Sequence, residues 1–170
     1  MTWQADKTWS DRFLPEIKSI LGTVLIDVAE PTDDALRNTD LITLTMRGGL
    51  RIACRVRKHR YLATYADEFT IRCSRPSGTE TEIDKLLAGW GDYLFYGFAD
   101  AQEVTLAAWF IGDLQIFREW FAWYRRTYHD WPGEMRRNHD GSSNFMVFGV
   151  HDVDRRFILA RKESPTPLAA

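Results

Sequence analysis

Apolar residues recur along this chain with two different periods, and the switches between them outline its elements. Phe13, Ile17, Ile20 and Leu21 follow helical spacing behind Ser10 and Asp11, either of which can cap a helix running to about Leu21. Pro15 lies near enough the start to be tolerated. "TVLIDVA" (23–29) reads as a short apolar strand and "EPTDDALRNT" (30–39) as a polar connector. "DLITLTM" (40–46) and "LRIACRVR" (50–57) read as strands, and the "RGG" between them is so short that they must be antiparallel neighbours. "EFTIRC" (68–73) is a third strand available for pairing. Thr79 and Glu82 have the spacing of a capping box opening a helix to about Ala88. "DYLFYGFA" (92–99) is apolar on both faces, as a central covered strand would be. "TLAAWFI" (105–111) follows as a strand. Asp113 then caps a helix with Leu114, Phe117, Phe121, Tyr124 and Tyr128 on one stripe. "DWPGEMRRNHDGSSN" reads as a long loop, and "FMVFGV" and "FILA" as short strands. This order predicts an α/β domain over 1–162, a mixed sheet flanked by helices, with 163–170 as a flexible tail.

Composition narrows the function classes. With 170 residues, 45% hydrophobic content and seven Trp, the chain can bury a sizeable core. The net charge of -2 excludes a polycation, so a nucleic-acid site needs local clustering of charge. Cys54 and Cys73 form no CxxC pair, and a reducing, cytosolic setting is expected. The first residues lack an apolar signal core, and no apolar run is long enough to span a membrane. Asp33, Asp34 and Asp40 lack the spacing of a calcium loop, and the nucleotide-loop, serine-hydrolase and zinc-protease signatures are absent.

Charge concentrates on one hairpin. Between residues 47 and 60 lie Arg47, Arg51, Arg55, Arg57, Lys58 and Arg60, with no acid among them. Strand alternation sets Leu50, Ile52, Cys54 and Val56 against Arg51, Ala53, Arg55 and Arg57. It likewise sets Phe69, Ile71 and Cys73 against Glu68, Thr70 and Arg72. If the two strands share a sheet, Arg55, Arg57, Glu68 and Arg72 cluster with Asp40 at its mouth. Such a patch is either a phosphate-binding surface or a solvated, aggregation-resistant sheet face.

In "TDLITL" followed by "LRIACRVR" the chain resembles the PD-(D/E)xK, or restriction-endonuclease-like, nucleases, with a likeness to Holliday-junction resolvases over about residues 10–121. It is also similar to small bacteriophage-encoded proteins. The resemblance implies a core of helix, three strands, helix and strand. It places Asp40 at the family's metal-binding aspartate and Arg55-Val56-Arg57 where E-x-K stands. In that family two acids hold Mg2+ or Mn2+, which activates water and stabilises charge on the phosphate. Arg57 can replace the lysine as a phosphate clamp, whereas Arg55 cannot bind a metal. A relocated acid is therefore required. Glu68 is the first choice, with either a ligand role or a cross-strand ion pair to Arg55 or Arg57. Glu82 and Glu16 come next, each on a helix able to lean over the sheet.

The resemblance thus leaves two expectations. One is a metal-dependent DNA endonuclease using Asp40, Glu68 and Arg57, with Arg47, Arg51, Arg55, Lys58, Arg60 and Arg72 on branched or single-stranded DNA. The other is an inactive nuclease fold that binds nucleic acid or serves as a phage or host protein-interaction module, for example an inhibitor of a defence system. Trp120, Trp123, Tyr124, Tyr128 and Trp131 are able to stack bases, but core packing or a homodimer interface along helix 113–128 is the commoner use of such a stripe. Trp123 falls off the stripe and is the interface candidate.

Overall fold

The computed structural model describes residues 3–22, 25–28, 41–45 and 48–163. Helix α1 (Trp3–Asp11) and helix α2 (Leu14–Leu21) replace the single helix expected from Ser10 onward. Pro15 falls in the first turn of α2, where its missing N–H costs nothing, and the chain turns at Arg12–Phe13 before it. Phe13 and Ile17 are buried, so the expected apolar stripe is the right one.

Six strands form the larger sheet: β1 (Leu25–Val28), β2 (Leu41–Thr45), β3 (Gly48–Arg57), β5 (Tyr93–Ala99), β6 (Leu106–Asp113) and β9 (Ile158–Lys162). Their order across the sheet is β1-β2-β3-β5-β6-β9. The β2–β3 pair is the expected antiparallel hairpin, with Leu41 opposite Ile52 and Thr45 opposite Gly48. β3 and β5 run parallel, Arg55 lying opposite Tyr96; the other pairings are antiparallel, so the sheet is mixed. β5 is the covered central strand its sequence announces. Leu94, Tyr96 and Phe98 enter one apolar layer, and Phe95 and Ala99 enter the other with Phe13 and Ile17.

Strand β4 (Glu68–Ser74) leaves this sheet. With β7 (Glu134–Arg137) and β8 (Asn144–Gly149) it forms a three-stranded antiparallel sheet of order β4-β8-β7, of which it is one edge. The shared sheet of β3 and β4, on which the expected charge cluster depended, is therefore corrected. β7 lies inside the expected long loop, because three of its four residues, Glu134, Met135 and Arg137, are exposed and give no alternation. The small sheet docks on the large one through aromatic rings. Phe69 stacks on Phe148 and Phe157 at 5.2 and 5.3 Å and meets Phe110 and Phe117 edge-on.

Two further helices complete this layer: α4 (Glu82–Leu87) and α5 (Leu114–Tyr128), after a single turn, α3 (Leu62–Tyr65). Asp113 caps α5, accepting hydrogen bonds from the N–H groups of Gln115 and Ile116. Of the α5 stripe, Leu114, Phe117 and Phe121 are buried, whereas Tyr128 is exposed. The capping box of α4 lies two residues beyond the expected one: Thr81 donates to the Asp84 carboxylate from both its N–H and its hydroxyl. That shift frees Glu82 for another task. Among the described residues, no helix is long and apolar enough to cross a membrane.

Candidate functional site

The charged face of β3 is the face covered by the second layer. Arg55 reaches across the seam between the sheets and donates to both carboxylate oxygens of Glu82, at 2.6 and 2.5 Å, and to the backbone oxygen of Thr70 at 3.1 Å. Glu82 also accepts the backbone N–H of Arg72 at 3.2 Å, with the Arg72 guanidinium 3.7 Å away. Thr70 and Arg72 stand on the free edge of β4. The Arg55–Glu82 pair thus fills the hydrogen-bonding row that an edge strand leaves open. Only 28% of the Arg55 side chain and 17% of the Glu82 side chain meet solvent. Burial pushes the Glu82 carboxyl up, but the guanidiniums of Arg55 and Arg72 more than cancel that, and the group is held below the usual carboxylate range. Burial also lowers the Arg72 guanidinium, with Glu82 opposing.

Arg57 is built in beside it. It donates to the Thr70 hydroxyl at 2.9 Å and the Tyr96 hydroxyl at 3.3 Å, and its guanidinium lies 4.5 Å from the centre of the Tyr61 ring. Arg51 lies over Trp90, and its backbone N–H donates to Asp92.

Glu68 does not meet Arg55 or Arg57. It lies 3.4 Å from Arg136 of β7, which also pairs with Glu134. The ion pair to Arg55 or Arg57 foreseen for Glu68 is thus corrected, because β4 pairs in another sheet and Glu68 instead meets Arg136 from beyond β8. Glu16 accepts the backbone N–H of Leu106 and so ties α2 to the sheet. Asp40 and Arg47 lie outside the described residues. Among the described residues, no group of three or more His, Cys, Asp or Glu converges as metal ligands would. Glu82, one of the acids considered as a relocated ligand, does lean over the sheet, but arginines occupy both its oxygens. The described residues around Arg55 therefore do not fit a divalent ion.

A second cluster lies where β3 ends. Lys58 lies over the Trp9 ring at 5.5 Å and Arg12 over the same ring at 5.7 Å. Arg60 is exposed and packs on Tyr61 at 4.9 Å, on the ring that also holds Arg57. Trp9 is fixed from behind by its indole N–H, which donates to Glu103 at 2.7 Å. Two cation–ring groups thus flank this end of β3: Arg12 and Lys58 on Trp9, which packs against the layer of α1 and α2, and Arg57 and Arg60 on Tyr61, which packs against the second layer. The sequence pattern supplies Lys58, Arg60 and Arg57. It does not supply Trp9, Arg12 and Tyr61, whose tertiary placement leaves no periodic signal.

A third cluster is the aromatic end of α5, where Trp123, Tyr128, Trp131 and Met135 are all exposed. Cys54 and Cys73 form no disulfide.

The chain matches no protein-family model, no curated protein and no solved structure.

Proposed function

We propose that this protein binds nucleic acid on a restriction-endonuclease-like core whose catalytic corner has become a structural ion pair. The observation that carries the reading is the pair of cation–ring groups at the carboxyl end of β3, Arg12 and Lys58 on Trp9 and Arg57 and Arg60 on Tyr61. Backbone phosphates would meet several cations there, each held in place against a ring. Strand β5 runs parallel beside β3, so both groups lie at the end of the sheet where open α/β sheets take ligands.

Strand order supports the finer fold reading. Helices α1 and α2 precede three antiparallel strands, β1, β2 and β3; then comes α4, and β5 returns parallel to β3. That is the helix, three strands, helix, strand order of the family, with β4 as an excursion into a second sheet. On this core Arg55 occupies the glutamate position of E-x-K and carries the opposite charge. Its engagement with Glu82 favours binding without cutting.

The test is fluorescence anisotropy with labelled single-stranded and four-way-junction DNA, beside a plasmid-cleavage assay in Mg2+ and in Mn2+. Saturable binding that weakens steeply with salt, and intact plasmid in both metals, are expected. Cleavage that disappears on Asp40→Asn would instead establish the nuclease reading, with Asp40 as a metal ligand. Absence of binding at low salt would remove the nucleic-acid reading altogether.

A further inference from the structure

We propose that the pocket at the C-terminal end of α5 is a binding site for a quaternary ammonium group. This goes beyond the nucleic-acid reading and stands on different residues. The pocket has a volume of about 430 Å³ and opens to solvent between α5 and the end of β8. Trp120, Trp123, Tyr124 and Tyr128 supply its aromatic walls, and Asp152, lying over Gly149, supplies the one charge lining it. Helical spacing makes the cage: residues 120, 124 and 128 succeed each other on one face, and 123 stands beside them. The Trp123 and Tyr128 rings meet at 90° with centroids 5.8 Å apart, and Tyr124 and Tyr128 lie 4.6 Å apart. Two perpendicular rings thus stand side by side in the pocket lining.

Three features point to a cation without N–H groups. Aromatic faces carry the negative side of the ring quadrupole, and quaternary ammonium recognition is its established use in proteins. Elsewhere among the described residues several partly exposed rings are already matched with cations: Trp9 with Arg12 and Lys58, Tyr61 with Arg57 and Arg60, and Trp131 with Arg125. Among the described residues, no lysine or arginine lies over any of the four cage rings, and the Asp152 carboxylate has no hydrogen bond or ion pair. The cage therefore joins π surface to one uncompensated negative charge. A primary ammonium or guanidinium needs several directed acceptors, and one carboxylate serves it poorly. A trimethylammonium group needs only apolar and π contact plus a nearby counter-charge. Gly149 matters because a side chain there would collide with the Asp152 carboxylate and displace it.

The experiment is an NMR titration following the indole N–H signals of the seven tryptophans. The probes are choline, its neutral isostere 3,3-dimethylbutan-1-ol, and a short peptide carrying trimethyllysine. Choline should shift the signals of Trp120 and Trp123 saturably, and the neutral isostere should bind at least about fivefold more weakly, the order expected for a cation–π site. Asp152→Asn should weaken choline several-fold, and Trp123→Ala should abolish the effect. Trp123→Phe should restore part of it. Residues 123 and 152 are exposed, so an unchanged remainder of the spectrum verifies the fold of each variant. A peptide that binds more tightly than choline identifies a methylated polypeptide as the source; equal affinity identifies a small molecule. Equal binding of choline and its isostere overturns the proposal. So does a concentration-dependent dimer that Trp123→Ala dissolves and choline leaves intact, because a second copy would then be the occupant.

Discussion

Arg55, expected from the sequence as part of a basic patch, serves the fold. Its guanidinium and the Glu82 carboxylate are both largely withdrawn from water, and each also satisfies a backbone group on the β4 edge. Removing one member leaves the other as an uncompensated charge, which is more costly than the pair is stabilising. Arg55→Met should therefore destabilise the protein by about 2–3 kcal/mol, seen as a fall in Tm of roughly 5–10 °C for a chain of this size. Arg55→Met with Glu82→Leu should recover part of that loss, because no charge is then stranded. A double variant less stable than either single change would mean that the backbone contacts, and not the charges, dominate. The pH dependence follows from the depressed Glu82 carboxyl. A group whose folded pKa is lowered contributes fully above its unfolded value, about 4.3 for glutamate, and loses that contribution as pH falls through the folded value. Urea midpoints measured from pH 7 to pH 3 should drop on the acid side, and Glu82→Gln should flatten that limb. Alternation places Arg55 and Arg57 correctly on one face of β3. It cannot tell which face a second layer covers, and a capping box read two residues early conceals Glu82 as the partner.

At the scale of elements, the contact between the two sheets is an aromatic seam that leaves little slack. Phe157 is fully buried, stacked with Phe69, and lies directly over Gly112 of β6. A methyl group at Gly112 would run into the Phe157 ring. Gly112→Ala should consequently cost about 1–3 kcal/mol by overpacking. Adding Phe157→Leu should return some of it, since adjacent changes couple; chemical denaturation of the four proteins of that cycle decides the matter. Independently, Asp113→Ala should cost about 1 kcal/mol through removal of the α5 cap, measured in the same denaturation experiment. The elements are legible where burial is periodic: β5, α5 and the β2–β3 hairpin are all announced by their apolar spacing. β7 is not, because a short, exposed strand at a sheet edge has no buried face to impose a period. The assignment of β4 to a separate sheet is also illegible. Its own alternation is regular and carries no information about which neighbour it pairs with.

For the molecule as a whole, the question is how a chain of net charge -2 could attract a polyanion. Many of the acids are engaged locally: Glu103 behind Trp9, Glu82 on Arg55, Glu68 and Glu134 on Arg136, and Asp154 on Arg156. Glu103 also pairs with Arg12 at 3.9 Å, so the cations this surface would offer a phosphate are chiefly Lys58 and Arg60, and screening over about 8–10 Å at ordinary salt limits the effect of distant acids on them. The sequence reveals half of this surface, the cations of residues 57–60. Trp9 and Arg12 join them only because α1 packs across the end of β3, a contact over some fifty positions that no local pattern encodes. The binding and stabilising roles of the arginines should separate accordingly. Lys58→Ala with Arg60→Ala removes two exposed or half-exposed cations outside the seam, so Tm should change little. The same change should weaken DNA binding about equally for every sequence and reduce the slope of log affinity against log salt by roughly 1–2, one unit for each phosphate that is no longer neutralised. Arg55→Met should do the reverse, lowering Tm while leaving the salt slope of the folded protein intact. Anisotropy across a salt series, paired with thermal melts of the same samples, gives both readouts. If the Lys58/Arg60 variant keeps the full salt slope, Lys58 and Arg60 are a solvated surface and the phosphates are held elsewhere. If Arg55→Met lowers the slope without lowering Tm, Arg55 faces the ligand, and the ion pair with Glu82 opens when nucleic acid binds.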